Sequence, residues 1–174
     1  MEKQHTLRLA GVIRESIVDG PGIRMTVFVQ GCPHHCKGCH NAKTWDFEGG
    51  YDAQPERLIE EAKKDPLLKG LTFSGGEPFC QAEALSYLGN LAHEAGFDVF
   101  TYTGYTFEEL LEGSKENPQW MELLKECDYL VDGPFILEQK DILLRFRGSK
   151  NQRILEVKKS LKAGKAVISE EYNK

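Results

Sequence analysis

Residues 25–41 read MTVFVQGCPHHCKGCHN, a short β-branched and aromatic run that ends in a glycine and then in three cysteines. The run 25–31 has the length and composition of a buried strand. The cysteines follow directly, so Cys32, Cys36 and Cys39 belong to a loop at that strand's C-terminal end. Working outward, residues 55–64 open with Pro55 in a first-turn position. They carry Leu58, Ile59 and Ala62 on one helical face and stop at Asp65-Pro66. LTFSGG (71–76) is strand then glycine turn, and residues 82–95 set Leu85, Leu88, Ala92 and Ala95 at helical spacing before Gly96. DVFTYTG (98–104) is again strand then turn. Thr106 and Glu109 form a capping box, a further helix from Asn117 aligns Trp120, Leu123, Leu124 and Cys127, and YLVDGPF (129–135) is the next strand.

Strands that alternate with helices predict an α/β fold with a parallel sheet. On the N-terminal side, Leu7–Ser16 partly alternates and reads as a strand or hairpin arm, followed by a turn at Asp19-Gly20-Pro21-Gly22. Residues 138–174 are basic and irregular, with short strands expected at 153–157 and 166–169. Every polar or glycine motif follows the C-terminal end of a strand: 31–41, 74–78, 101–105 and 132–135. Ligands bind at that edge in parallel α/β folds, so the four stretches should converge on one site.

A length of 174 residues without repeat, linker or low-complexity tract predicts a single domain over 1–174. With 40% hydrophobic and 28% charged residues the composition is that of a globular chain, and a net charge of −5 speaks against a sequence-independent nucleic-acid binder. MEKQHTLRL has no apolar run of signal-peptide length and no stretch approaches a membrane span, so a cytoplasmic protein is expected. In that reducing setting, three cysteines within eight residues point to metal chemistry rather than disulfides.

Three thiolates at C-x3-C-x2-C can hold three irons of a cubane cluster and leave the fourth iron without a protein ligand. Such an open iron can bind and reduce a substrate. Zinc is the alternative, with Cys32, Cys36, Cys39 and one of His34, His35 or His40 as ligands. Structural zinc sites usually draw on two separated ligand pairs, and no second pair exists here. Cys80 stands alone, and Cys127 on its apolar stripe suits the core.

The cysteine spacing after one strand, with SGGEP (74–78) after the next, resembles the radical S-adenosylmethionine (SAM) superfamily. ESIVDGPGIRMTVFVQGCPHHCKGCHN (15–41) is similar to its glycyl-radical-activating branch. YLVDGPF and LLRFRGSKNQRIL (143–155) resemble the subgroup that activates the anaerobic ribonucleoside-triphosphate reductase. The resemblance runs from about Gly11 to Val157. It implies a short, open partial (β/α) barrel with a mostly parallel sheet, a [4Fe–4S] cluster on Cys32, Cys36 and Cys39, and SAM chelated to the fourth iron. It further implies reductive cleavage of SAM, hydrogen abstraction by the 5′-deoxyadenosyl radical from a glycine of the reductase large subunit, and a flavodoxin or ferredoxin-type electron donor. Gly38 departs from the superfamily pattern: many members carry there an aromatic that packs on adenine, so adenine needs another wall.

By the same resemblance Gly75, Gly76 and Glu77 form the methionine-binding turn. Glycines admit a ligand close to backbone, and Glu77 can accept from the SAM ammonium. Thr101 and Thr103, flanking Tyr102, and Asp132 end strands on the ligand edge and are candidate SAM contacts; terminal hydroxyls equally serve to cap turns. Arg24, Arg145, Arg147, Asn151, Gln152 and Arg153 are candidate partner-docking residues, against the plain alternative of solvated turns and loops. His40 is expected near the cluster without binding it. A different glycyl radical enzyme, a small-molecule substrate, or a zinc-binding adaptor are the competing functions.

Overall fold

The computed structural model describes residues 5–39 and 42–173. Among the described residues seven strands form one sheet: β1 Leu7–Ser16, β2 Ile23–Val29, β3 Tyr51–Ala53, β4 Leu68–Gly75, β5 Asp98–Tyr102, β6 Tyr129–Asp132 and β7 Arg153–Glu156. The order across it is β3-β1-β2-β4-β5-β6-β7. The expected parallel sheet is its centre, where β2, β4, β5 and β6 pair in parallel. The flanks are antiparallel: β1 on β2, β3 on β1, and β7 on β6. A parallel neighbour needs a long crossover, whereas β1 returns into β2 through a tight glycine turn, so that pair runs antiparallel.

The helices form where their signals stood. Pro55 begins α1 (Pro55–Lys63), which buries Leu58, Ile59 and Ala62, and α2 (Ala82–Glu94) buries Leu85, Leu88 and Ala92. The capping box of α3 (Phe107–Gly113) is made in full: Glu109 N donates to Thr106 Oγ1 and Thr106 N donates to Glu109 Oε1. In α4 (Pro118–Glu126) Leu123 and Leu124 are buried. The C-terminal stretch differs from expectation, because α5 (Val157–Ala163) follows β7 immediately and ends at Gly164 in the left-handed region. The strand expected at 166–169 is a single bridge between Ile168 and Leu155. Among the described residues no helix is long and apolar enough to cross a membrane.

Strand alternation divides the sheet into two unlike faces. Val27, Phe73 and Leu130, in register through Thr101, face the helices, and all five helices contribute to that apolar core. The intervening positions Thr26, Thr72 and Phe100, with Phe28, Ser74 and Tyr102, form the other face. At its lower end Arg24 is 0% exposed. Its Nε donates to Thr72 Oγ1 (2.8 Å), Nη1 to Pro21 O (3.0 Å) and Nη2 to Leu71 O (2.8 Å) and Asp98 Oδ1. The guanidinium also lies over the Phe100 ring at 5.6 Å. Arg24 is therefore not a docking group: every polar donor turned to the interior is satisfied there, and the Asp19-Gly22 turn folds over it.

Removing this buried cation leaves Asp98 and two backbone carbonyls short of a donor. Arg24→Ala should lower the unfolding free energy in urea by about 3 kcal/mol. A docking role would instead leave the midpoint unchanged and weaken only complex formation.

Candidate iron–sulfur site

The C-terminal edge of the central strands carries the site. Beyond β2 the chain turns at Gly31, held by Gly31 N to Thr44 O (2.6 Å), and Cys32 N donates to Trp45 O (3.2 Å). The cysteine loop then winds through His35 and Gly38, both at positive φ (47° and 78°), so Gly38 supplies a conformation other residues rarely adopt. His35 stacks on Trp45 at 4.6 Å between ring centroids. None of the cysteines is in a disulfide; Cys32 is buried, Cys36 and Cys39 are partly exposed. Burial raises the Cys32 thiol above its ordinary pKa, and the nearby Glu77 charge adds to the shift. A thiol so placed keeps its proton unless a bound cation replaces it, which iron does.

The SGGEP turn packs directly on this loop. Gly76 N donates to Val29 O (2.8 Å) and Glu77 N to Gly31 O (2.8 Å). Glu77 is 0% exposed and its carboxylate is fully engaged. Oε1 receives His34 Nε2 (2.6 Å) and Gly104 N (2.8 Å), Oε2 receives Phe79 N (3.0 Å), and Thr103 Oγ1 lies 2.9 Å from both oxygens. Sequence reasoning did not anticipate His34 in this cluster, nor that Thr103 serves Glu77. His34, so bound, and His35, stacked on Trp45, are turned to partners other than a metal; His40 lies outside the described residues. Among the described residues no three or more His, Cys, Asp and Glu side chains gather around one ion position. A cubane makes a different demand, since each thiolate takes its own iron.

A cavity of about 530 Å³ adjoins the loop on the face away from the helices, lined among others by Cys39, Ser74, Tyr102, Phe135, Arg147 and Gln152. Phe135 reaches Gly38 closely: a Cβ on Gly38 would stand 3.3 Å from the Phe135 ring. Burial raises the Tyr102 phenol pKa far above its usual value, and Asp19 adds to the shift.

The other expected contacts fall elsewhere. Thr101 points to the helices, 0% exposed, and accepts from the Cys127 thiol at 3.2 Å. Burial pushes that thiol up to about 12, as befits a core cysteine. Cys80 is exposed, yet partial desolvation and the nearby Glu77 push its thiol up to about 12. Asp132, 1% exposed, accepts from Phe107 N (2.8 Å) at the start of α3 and from Arg153 Nε (3.0 Å) and Nη2. Arg153 also bonds Glu108, so this docking candidate is an internal clamp. Asn151 Nδ2 donates to Pro134 O (2.7 Å), while Gln152 accepts from Gly148 N and donates to Gly133 O (3.1 Å). These two amides fasten the 143–153 loop to the DGPF segment rather than projecting from it. Arg145 alone of the six candidates is exposed, its guanidinium 4.8 Å from the Phe146 ring.

Residues 18–155 match the family of 4Fe-4S single cluster domains. The anaerobic ribonucleoside-triphosphate reductase-activating protein of Vibrio cholerae is 42% identical over 147 residues, that of Haemophilus influenzae 39% over 146, each alignment covering 79% of this chain and 90% of the relative. The same-named protein of Escherichia coli K12 is 35% identical over 144 residues, 78% of this chain and 90% of its own. The chain belongs to this family of reductase-activating proteins. Family membership carries an iron–sulfur cluster, and the cysteine loop lies within the matched region.

Gly76 tests the contact between loop and turn. A Cβ there would lie 2.2 Å from Gly31 O, backbone against backbone, although the residue's own φ is ordinary. Gly76→Ala should cost about 1–3 kcal/mol of stability and lower the iron and sulfide retained after anaerobic reconstitution. Gly11→Ala, with open space around the added methyl, should retain both.

Proposed function

We propose that this chain is a radical SAM activase that installs a glycyl radical on an anaerobic ribonucleoside-triphosphate reductase. The observation that carries the proposal is the cysteine loop and the SGGEP turn joined by backbone hydrogen bonds at the rim of one cavity. The names of the relatives support the partner, and the 4Fe-4S family match supports the cluster. The open sheet, with polar and aromatic residues on the face away from the helices, is consistent with a partial (β/α) barrel of the radical SAM type, folded as a single domain. An electron donor of the flavodoxin or ferredoxin type completes the assignment.

Cys32, Cys36 and Cys39 would hold the cluster. Reduced and with SAM bound, the cluster would supply one electron, becoming oxidised, for cleavage of the C5′–S bond to methionine and a 5′-deoxyadenosyl radical able to take a hydrogen atom from the partner's glycine. The protein's own contribution is position. Gly75 and Gly76 let the turn pack backbone to backbone against Val29 and Gly31, which fixes it beside the cysteine loop where the methionine half of SAM would lie. Glu77, anchored by Phe79 N, Thr103 and Gly104 N, faces the cysteine loop through His34, and a SAM ammonium would take the place of that imidazole. Phe135 supplies the aromatic surface absent at Gly38, at the edge of a cavity lined by both apolar and polar side chains.

The decisive experiment is EPR on the anaerobically reconstituted, reduced chain with and without SAM. A [4Fe–4S]+ signal that shifts on SAM addition, and is lost in Cys36→Ala, is the expected result. A chain that takes up zinc in place of iron, with no response to SAM, would overturn the proposal. Phe135→Ala should leave the iron content intact and weaken SAM binding about tenfold, measured by anaerobic equilibrium dialysis.

A further inference from the structure

Arg147 differs from the chain's other enclosed arginines. Arg24 pairs with Asp98 and Arg153 with Asp132, each in a charge-assisted contact. Arg147 makes one hydrogen bond, Nη1 to the backbone carbonyl of Gln152 at 3.0 Å, and no ion pair among the described residues. Its Nε is buried without any hydrogen-bond partner, one of two such side-chain atoms among the described residues. A guanidinium donor kept from water and short of an acceptor is costly to the fold, and the cost falls when an acceptor arrives.

The surroundings say where that anion comes from. Arg147 lines the 530 Å³ cavity together with Cys39, Tyr102 and Phe135. Asp19 is the acidic residue of the same lining, and its Oδ2 already accepts from Ser16 Oγ (2.6 Å) and Thr26 Oγ1 (3.2 Å). The protein thus provides a guanidinium at this cavity without providing its counter-ion. The loop that bears it is held at its base by the Lys140–Ser149 bridge and by Gln152 Oε1, which receives Gly148 N (2.8 Å) and Ser149 N (3.2 Å). The guanidinium is therefore presented from a fixed backbone, as a preorganised binding group is.

We propose that Arg147 is the carboxylate-binding residue of this cavity. A planar guanidinium matches a carboxylate in geometry as well as charge. The α-carboxylate of SAM is the first source of that chemistry, and there the inference rests on the function proposed above. A carboxylate of the reductase polypeptide entering the same cavity is the second.

The test uses the reconstituted chain and anaerobic equilibrium dialysis with two ligands, SAM and its decarboxylated analogue. Arg147→Gln should weaken SAM about 10- to 100-fold, the range of a charged hydrogen bond, and leave the analogue's affinity unchanged. Arg147→Lys should fall between, since it keeps the charge and loses the fork. If SAM affinity is retained but binding of the purified reductase large subunit falls by a similar factor, the carboxylate is the partner's. Equal losses for SAM and the analogue indicate a general collapse of the loop and overturn the proposal, as does the absence of any change in either arm. Failure of the unaltered chain to bind SAM counts against the proposed function instead, and the reductase arm then decides the role of Arg147 alone.

Discussion

Two backbone hydrogen bonds, Gly76 N to Val29 O and Glu77 N to Gly31 O, carry the parallel pairing of β2 and β4 past the ends of both strands. The rest of the site depends on that extension. It brings the segment that leads into Cys32 against the turn that leads into α2, and it admits no side chain between them: a Cβ on Gly75 or Gly76 would fall within 2.6 Å of backbone atoms of Val29 or Gly31. Once the two backbones are in contact, the residue after the glycines must turn inward. Glu77 then becomes a buried carboxylate, and such a group needs several donors. It finds them in three segments, from the cysteine loop (His34), the β5 turn (Thr103 and Gly104) and its own 3-10 turn (Phe79). Local glycine geometry thus forces a long-range polar junction.

The second constraint is the period of two along a strand. Thr101, Tyr102 and Thr103 are adjacent in sequence yet meet three different environments: the Cys127 thiol behind the sheet, the cavity in front of it, and the Glu77 carboxylate beyond the strand's end. Three polar residues at a strand terminus can be assigned to the ligand edge from sequence. Which of them faces the ligand follows only from register, and Phe73 opposite Thr101 fixes that register on the helix side.

The same contrast holds across the chain. Strands β2, β4, β5 and β6 were legible as short apolar runs closed by turn residues, helices α1, α2 and α4 from apolar stripes at helical spacing, and α3 from its capping box. Strand β3 has three residues on an edge, and α5 buries only Val157 and Ser160 within a lysine-rich run, so neither offers a periodic signal. The cysteines and the glycine turn were legible because their chemistry is fixed by residue type. The arginines were not. A guanidinium reads alike in sequence whether it projects into water, as Arg145 does, or closes an internal ion pair, as Arg24 and Arg153 do, since the deciding partner lies 74 or 21 residues away.

That ambiguity has a physical root in how the 133–153 region is built. Its order comes mainly from side chain to backbone hydrogen bonds: Asn151 to Pro134 O, Gln152 to Gly133 O and Gly148 N, and Ser149 Oγ receiving Ile136 N. Polar fastening of this kind depends on the identity of each residue and leaves no hydrophobic period to read. It also leaves the segment without a large buried apolar face, with Ile142 and Leu143 87% and 89% exposed at its tip. Segments held by few apolar contacts open locally at lower cost than strands of the core. Here that lower cost falls on the exposed tip, while Arg147 and Gln152 sit at the hydrogen-bonded base of the loop. The glycine turn and Glu77 belong to the packed end of the central sheet, and Phe135 and Leu137 carry the polar-fastened segment back against Gly38, so both walls of the cavity meet at the cysteine loop.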